Sequence, residues 1–423
     1  MTMVSSRKEI LVYAHWEGIA SPLLMGTLYA SPTRGKEIFS FHYHKDWLRS
    51  DYAQVIDPDL HLFEGPQYLN DDMPNFGIFL DSSPDRWGRV LMMRKEAAKA
   101  RQEGRKTKPL MESDYLLGVY DGNRMGGLGF KNPHGGGAFL DDNKEMAAPP
   151  FASLRDLEFA SLQLEKEDAP DHPEYLKWLN MLMAPGSSLG GARPKANVQD
   201  NDGSLWIAKF PSQNDGHDIG AWEMLTYQLA VRSGIDMAPS NIQKFSHHQH
   251  TFFTKRFDRK EDGTRIHFAS AMTLLGYTDG IDYHDGVSYL ELVEFLMQSG
   301  ADVQRDLKRL WKRIVFNICV SNTDDHLRNH GFILSRSGWL LSPAYDVNPI
   351  PNGTGLKLNI SENENALDLD LAMEVAPYFR IPDKEAKNII DYIKVQVIDW
   401  RNMAKKLGVS RSEIELMESA FIL

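Results

Sequence analysis

The sequence predicts an α+β protein with a small β-rich N-terminal module, a mixed middle lobe and a mostly helical C-terminal lobe. Three observations lead there. Short apolar and aromatic runs punctuated by Gly, Pro and Ser open the chain; strand-like and helix-like runs alternate in the middle; and helical periodicity dominates from about residue 287. The boundaries fall at 1–150, 151–286 and 287–423.

In the first part, Ile10–Tyr13, Leu23–Tyr29 and Ile38–Tyr43 read as strands. A helix is expected to start at Ser83, with Pro84 in its first turn, and to run through RWGRVLMMRKEAAKARQEG. A glycine-rich stretch follows, and Ala147–Pro150 reads as a linker. Beyond it, strands at Leu205–Phe210 and Thr251–Arg256 bracket a helix from Ile219 to about Arg232. In LKRLWKRIVFNICV the apolar residues Leu307, Leu310, Trp311, Ile314, Val315 and Ile318 keep helical spacing. Ile390, Ile393, Val397 and Trp400 repeat that stripe in one late helix. Gly408 stops it, and Ser410 with Glu413 forms a capping box for a last helix.

Composition narrows the functional classes. With 47 basic and 58 acidic residues the net charge is −11, which opposes a protein that coats nucleic acid unaided. The single cysteine, Cys319, rules out a disulfide framework or a thiolate zinc site within one chain and suits a reducing, cytoplasmic setting. The N-terminus lacks the apolar region of a secretory signal, and no run of about 18 apolar residues exists, so no membrane association is expected.

The segment SNTDDHLRNHGFILSRSGWLLSPAYDV, residues 321–347, carries the chemistry. Asp324, Asp325, His326 and Asn329 lie on a polar loop after the Trp311 helix. A hairpin follows (Phe332–Leu334, a turn at Ser335–Gly338, Trp339–Leu341), then Asp346. An acid, an Asn five residues on, a short hairpin and a second acid is the order used by protein kinases. Asn329 and Asp346 can offer hard oxygens to Mg²⁺ on nucleotide phosphates, and Asp324 can orient or deprotonate an attacking hydroxyl. A solvated turn is the plain alternative for DDH alone, and the hairpin with Asp346 argues against it. Upstream, GSSLGGARPK (186–195) could bring backbone N–H groups to phosphate oxygens, although it lacks a Walker A ending. Lys209, inside the strand WIAKF, must snorkel or meet an anion, and Glu223 on the next helix is a possible partner.

Together SSPDRWGRVLM, SDYLLGVYDGNRMGGLGF, SSLGGARPKA, WIAKFP, KRFDR, NTDDHLRN and SPAYDV resemble, in order and spacing, the HipA family: toxins of bacterial type II toxin–antitoxin systems with a two-lobed, protein-kinase-like fold. The resemblance covers nearly the whole chain. It implies an ATP- and Mg²⁺-dependent serine/threonine kinase with Asp324 as catalytic base and Asn329 and Asp346 as metal ligands. Lys209 would bind phosphates, together with the loop around Gly190 and Gly191. Phe257, the backbone around Lys255, and His326 would face the nucleotide. Ser188, or its neighbour Ser187, aligns with the family's autophosphorylated serine. Departures are Arg193-Pro194 before the loop lysine and Lys255 at a position often acidic. The implied partners are a helix-turn-helix antitoxin dimer of HipB type, operator DNA through that complex, and a protein substrate in translation such as an aminoacyl-tRNA synthetase.

Three other readings compete. A small-molecule kinase on the same scaffold would put label from ATP into small solutes. A silent co-repressor would bind its antitoxin without ATP turnover. A nuclease built on Asp324, Asp325 and His326 explains neither Lys209 nor the glycine loop. The histidines of SHHQH (246–250) read as an exposed turn, and the acidic run at 362–370 as a solvated loop.

Overall fold

The structure is a computed structural model that describes residues 7–69, 73–133, 139, 147–183, 191, 193–246 and 248–423. Glycine-loop residues Ser187, Ser188 and Gly190 lie outside the described residues. The chain divides into two compact units: Met1–Ala208 with Asp258–Ala269, and Lys209–Phe257 with Ser270–Leu423.

Alternation of buried and partly exposed side chains builds the first unit's sheet. In β1 (Lys8–Ala14), Ile10, Val12 and Ala14 point inward; in β3 (Lys36–Tyr43), Phe39, Phe41 and Tyr43 do. With β2 (Leu23–Thr33), β4 (Pro66–Tyr68) and β5 (Leu128–Lys131) they form an antiparallel sheet in the order β4-β3-β2-β1-β5. Gly26 on β2 is forced by packing, since a Cβ there would stand 2.3 Å from the His42 carbonyl oxygen. The unit's helices are α1 (Lys45–Leu48), α2 (Gly77–Asp81), α3 (Arg86–Gln102), α4 (Glu112–Leu117), α5 (Leu154–Leu164) and α6 (Tyr175–Met183). Strands β6 (Lys195–Gln199) and β7 (Leu205–Lys209) lie side by side, and the divide between units falls inside β7.

The helix expected from Ser83 begins later, at Arg86. Asp85 is its N-cap and accepts from the Gly88 N–H at 2.8 Å, while the Ser83 hydroxyl donates back to the Phe79 carbonyl of α2 at 2.8 Å. Ser83 thus finishes the preceding helix and leaves the cap to Asp85. The other Asp85 oxygen lies 3.1 Å from Lys195 Nζ, a buried ion pair.

The second unit opens with α7 (Ile219–Arg232) and the hairpin of β8 (Ser240–Gln243) and β9 (Thr251–Lys255). After β10 (Phe268–Ser270) come α8 (Ala271–Leu274), α9 (Tyr289–Ser299) and α10 (Val303–Cys319), then the hairpin of β11 (Gly331–Ser335) and β12 (Gly338–Leu341). The remainder is α11 (Leu369–Val375), α12 (Asp383–Val397), α13 (Trp400–Lys406) and α14 (Arg411–Leu416). Helix α10 is central: α9, α11, α12 and β12 all pack on it. Its predicted apolar stripe is buried, and so are Asp306, Arg313 and Asn317 from its polar side. No helix among the described residues is long and apolar enough to cross a membrane.

The late stripe ending at Trp400 is two helices, not one. The chain turns at Ile398–Asp399, where the Asp399 carboxylate accepts from Asn402 Nδ2 at 2.7 Å at the start of α13. The capping box at Ser410 is half made. Ser410 Oγ accepts from the Glu413 N–H at 3.2 Å, but the Glu413 carboxylate turns to α7, accepting from the Asp218 N–H at 3.2 Å and Trp222 Nε1 at 3.3 Å. In the SHHQH turn, His250 is not a free surface group: its Nδ1 lies 2.6 Å from Asp218, the N-cap of α7.

One buried acid in the first unit makes stability pH-dependent. Asp57 caps α2 from a distance, accepting from the Ile78 N–H at 2.8 Å and the Asp59 N–H at 2.9 Å. Burial pushes its carboxyl up from 3.8 to about 7, against those two hydrogen bonds and with help from the charges of Asp59 and Asp81. An acid whose folded pKa is raised favours the fold while protonated, and that advantage is lost as pH rises from 3.8 towards 7. Urea midpoints measured across this window should fall with pH more steeply in the wild type than in Asp57→Asn.

Candidate active site

The second unit gathers one group of polar side chains around Lys209. The end of β7 points the lysine inward, and its Nζ stands 2.6 Å from Glu223 Oε1 on α7 and 2.6 Å from Asp346 Oδ1. Burial opposes the charged ammonium, but Asp346 and Glu223 outweigh it and hold the lysine protonated, above its ordinary range. The anions that meet this strand lysine therefore include two carboxylates of the protein itself.

Asp346 follows β12 through Ser342–Tyr345 and has φ +57, in the left-handed region where a non-glycine residue is strained. Its side chain is held by Lys209 and by Asn348 Nδ2 at 3.2 Å, among others. On the neighbouring segment, the Val347 carbonyl accepts from Thr226 Oγ1 of α7 at 2.6 Å.

The loop carrying Asp324 is aimed by the end of α10. Ser321 has φ +46; its N–H donates to the Ile318 carbonyl and the Asn322 N–H to the Asn317 carbonyl, closing the helix in a Schellman turn. Asp324 emerges exposed. Lost hydration where its loop packs raises its carboxyl above the ordinary 3.8; Asp346 raises it further, while His326 opposes the shift. Asn329, 5% exposed, donates from Nδ2 to the Asp324 carbonyl at 2.9 Å, which leaves its Oδ1 to offer. His326 begins the short turn Leu327–Asn329, and its Nδ1 is buried without a hydrogen-bond partner.

Asp325, adjacent to Asp324, has a different environment. It is 4% exposed, and one oxygen, Oδ2, takes Tyr289 Oη at 2.5 Å, Asn317 Nδ2 at 2.6 Å and His330 Nε2 at 3.0 Å. Burial would raise its carboxyl, yet the His330 imidazole and the hydrogen bonds hold it below the ordinary range. Asp325 anchors the loop and Asp324 is presented by it. Helix α10 also grips the approach to Asp346: Asp306 accepts from the Leu341 N–H at 2.8 Å, Arg309 donates to the Leu341 carbonyl at 2.7 Å, and Arg313 donates to the Ser342 carbonyl. Burial, with Arg309 nearby, lowers the Arg313 guanidinium to about 10.

The structure thus links Lys209, Asp346, Asp324 and Asn329 in one neighbourhood. Phe257 lies in the same unit, with its ring centroid 5.6 Å from that of Tyr345. The Lys255 N–H already donates to the Pro239 carbonyl at 2.7 Å, so a backbone contact to a base there falls to its carbonyl. Gly191 belongs to the first unit, where its carbonyl accepts from Lys195 Nζ at 2.9 Å. Sequence reasoning did not single out Asn317, Asn322, Tyr289, His330 or Asn348. An asparagine embedded in the apolar run RIVFNICV was the one local signal.

Comparison with solved structures identifies the architecture as the HipA fold. HipA of Shewanella oneidensis MR-1, solved with HipB and its operator DNA, superposes with a TM-score of 0.66 over 98% of this chain and 95% of that one, at 17% identity. The HipA-like C-terminal domain family matches residues 187–401, and the chain belongs to the HipA family. Among sequence relatives, a putative kinase of Haemophilus influenzae is 26% identical over 203 residues, 42% of this chain and 59% of that protein. The serine/threonine-protein kinase toxin HipA of Shewanella oneidensis is 25% identical over 189 residues, 38% of this chain and 43% of that protein. The matched stretch thus spans about half the length of these relatives.

Removing Lys209 leaves two carboxylates facing each other with little water. Lys209→Met should therefore cost about 3 kcal/mol of stability near neutral pH, the range for breaking a buried ion pair. Denaturant unfolding of the variant checks this.

Proposed function

We propose that the chain is an ATP- and Mg²⁺-dependent serine/threonine protein kinase acting as the toxin of a type II toxin–antitoxin system. The observation that carries the proposal is Lys209 Nζ at 2.6 Å from both Glu223 and Asp346. A lysine fixed by a helical glutamate and set against a metal-binding acid is how protein kinases address nucleotide phosphates. The kinase names of the relatives support the same reading.

The donor set fits magnesium: the Asp346 carboxylate is partly exposed, and the Asn329 amide oxygen is left over once its nitrogen is bound to the Asp324 carbonyl. When bound, the metal would neutralise charge on the nucleotide phosphates. Lys209 would also neutralise phosphate charge, trading part of its contact with Asp346 for a phosphate oxygen. Asp324, exposed and with a raised carboxyl pKa, would accept the proton of an incoming serine or threonine hydroxyl. Phe257 and the Lys255 carbonyl would face the base, with His326 beside the nucleotide. Ser188 or Ser187 would be the site of autophosphorylation, where an added dianion would repel the ATP phosphates.

The partner side of the proposal is an antitoxin dimer of HipB type and, through it, operator DNA; the Shewanella HipA complex supports it. A chain of net charge −11 would leave most phosphate neutralisation to that antitoxin. The substrate would be a protein of translation.

Incubation of the chain with γ-labelled ATP and lysate should place label in protein. Asp324→Asn should lower transfer by about 10³-fold, within the range for a general base. The raised carboxyl makes Asp324 unfavourable to the folded state when ionised, so the variant should melt no lower than wild type near neutral pH. Transfer should fall on acidification at a pH above that of an ordinary carboxylate. Label persisting in the variant would reject Asp324 as the base, and label only in small solutes would reject a protein substrate.

A further inference from the structure

Asn317 sits on α10, 3% exposed, between the buried Phe316 and Ile318. Its amide faces two ways. Nδ2 donates to Asp325 Oδ2 at 2.6 Å, and Oδ1 accepts from Asn322 Nδ2 at 3.1 Å. Asn322 Oδ1 accepts from the Asn348 N–H at 3.3 Å, and Asn348 Nδ2 donates to Asp346 Oδ1 at 3.2 Å. A continuous hydrogen-bond relay therefore runs from the anchor of the Asp324 loop, through one side chain of a buried helix, to the acid that contacts Lys209.

We infer that Asn317 is a positioning residue for phosphoryl transfer, fixing the loop of Asp324 relative to the loop of Asp346. The inference rests on the kinase reading above and adds a residue that touches neither nucleotide nor metal. Its chemistry argues for the role. Packing alone would favour leucine or methionine at this helix position, because a buried amide must find partners for donor and acceptor alike. The amide donates to the Asp325 carboxylate while accepting from Asn322, which no apolar side chain at this position could do. Each loop holds a non-glycine residue in the left-handed region, Ser321 at the end of α10 and Asp346 itself, a conformation that the surroundings must support. A tie to the rigid helix supplies such support.

An exchange of groups tests the inference. Asn317→Asp turns a carboxylate toward that of Asp325 and removes the donor. Adding Asp325→Asn removes that like-charge clash and lets the new amide nitrogen donate to the carboxylate introduced at position 317, at the expense of the contacts that Tyr289 and His330 make to the same oxygen, Oδ2. Label transfer from γ-labelled ATP gives kcat and KM for ATP, and thermal melting reports the folded fraction. Asn317→Asp should lower kcat by about 100-fold, the cost of misplacing reacting groups by about 1 Å, with KM for ATP changed less than about threefold. The double variant should regain at least about tenfold in kcat, the sign of a coupled pair. Asn322→Ala, which strands no charge, should lower kcat by about tenfold.

Variants that melt lower yet keep wild-type kcat per folded molecule would overturn the inference, as would a double variant no better than Asn317→Asp. If Asn317→Asp fails to fold, Asn322→Ala decides alone: wild-type kcat there overturns it. Failure of the kinase reading shows separately, as absence of transfer by the wild type. Native-state hydrogen exchange then still tests the tie, because Asn322→Ala should speed exchange in both 323–330 and 346–350, and an effect confined to one segment rejects it.

Discussion

One buried ammonium organises the second unit. Lys209 is 9% exposed, and burying its charge would be prohibitive without compensation. Glu223 and Asp346 supply that compensation from different directions, one on a regular helix and one on a strained turn. Each element is consequently placed by a charge it cannot abandon. An arrangement of one cation and two anions carries excess negative charge, in keeping with the metal-holding role proposed for Asp346.

Helix α10 turns that local contact into a site. Its apolar stripe fixes it among α9, α11 and α12, and its buried polar groups then hold loops that have little core of their own. Asp306, Arg309 and Arg313 hold the backbone at Leu341 and Ser342, while Asn317 holds the segment of Asp325. These are polar groups spent on backbone and side-chain hydrogen bonds in the interior, where such bonds are directional and their loss is costly. The scaffold is apolar on one side of the helix and a set of clamps on the other.

Much of the fold could be read from local pattern. Strands β1, β2, β3 and β7, helix α7 and the hairpin before Asp346 lie within a few residues of their expected positions, because alternation, turn residues and helical spacing are short-range signals, whereas β4, β5 and β6 carried no such pattern. The proximity of Lys209 to Glu223 was readable as one of two outcomes, since a charge in an apolar strand must snorkel outward or meet an anion. Other features depended on which partner a polar side chain takes in the folded chain. Asp325 reads as a twin of Asp324 until Tyr289 and His330 arrive beside it. Ser83 reads as a helix cap until Phe79 claims its hydroxyl, and Glu413 as half of a capping box until Trp222 and Asp218 draw it away. Side-chain hydrogen bonds, whether closed over 4 residues as at Ser83 or over 195 as at Glu413, leave no periodicity to detect.

The position of Glu413 has an evolutionary implication. Helix α14 is short and mostly exposed, the sort of appendage in which sequence drift is ordinarily cheap. Yet its glutamate holds the first turn of α7, the helix that delivers Glu223 to Lys209. Divergence at this peripheral helix would therefore be constrained by the interior, and homologues that lose the acid at 413 should have recruited another acceptor for the indole of residue 222.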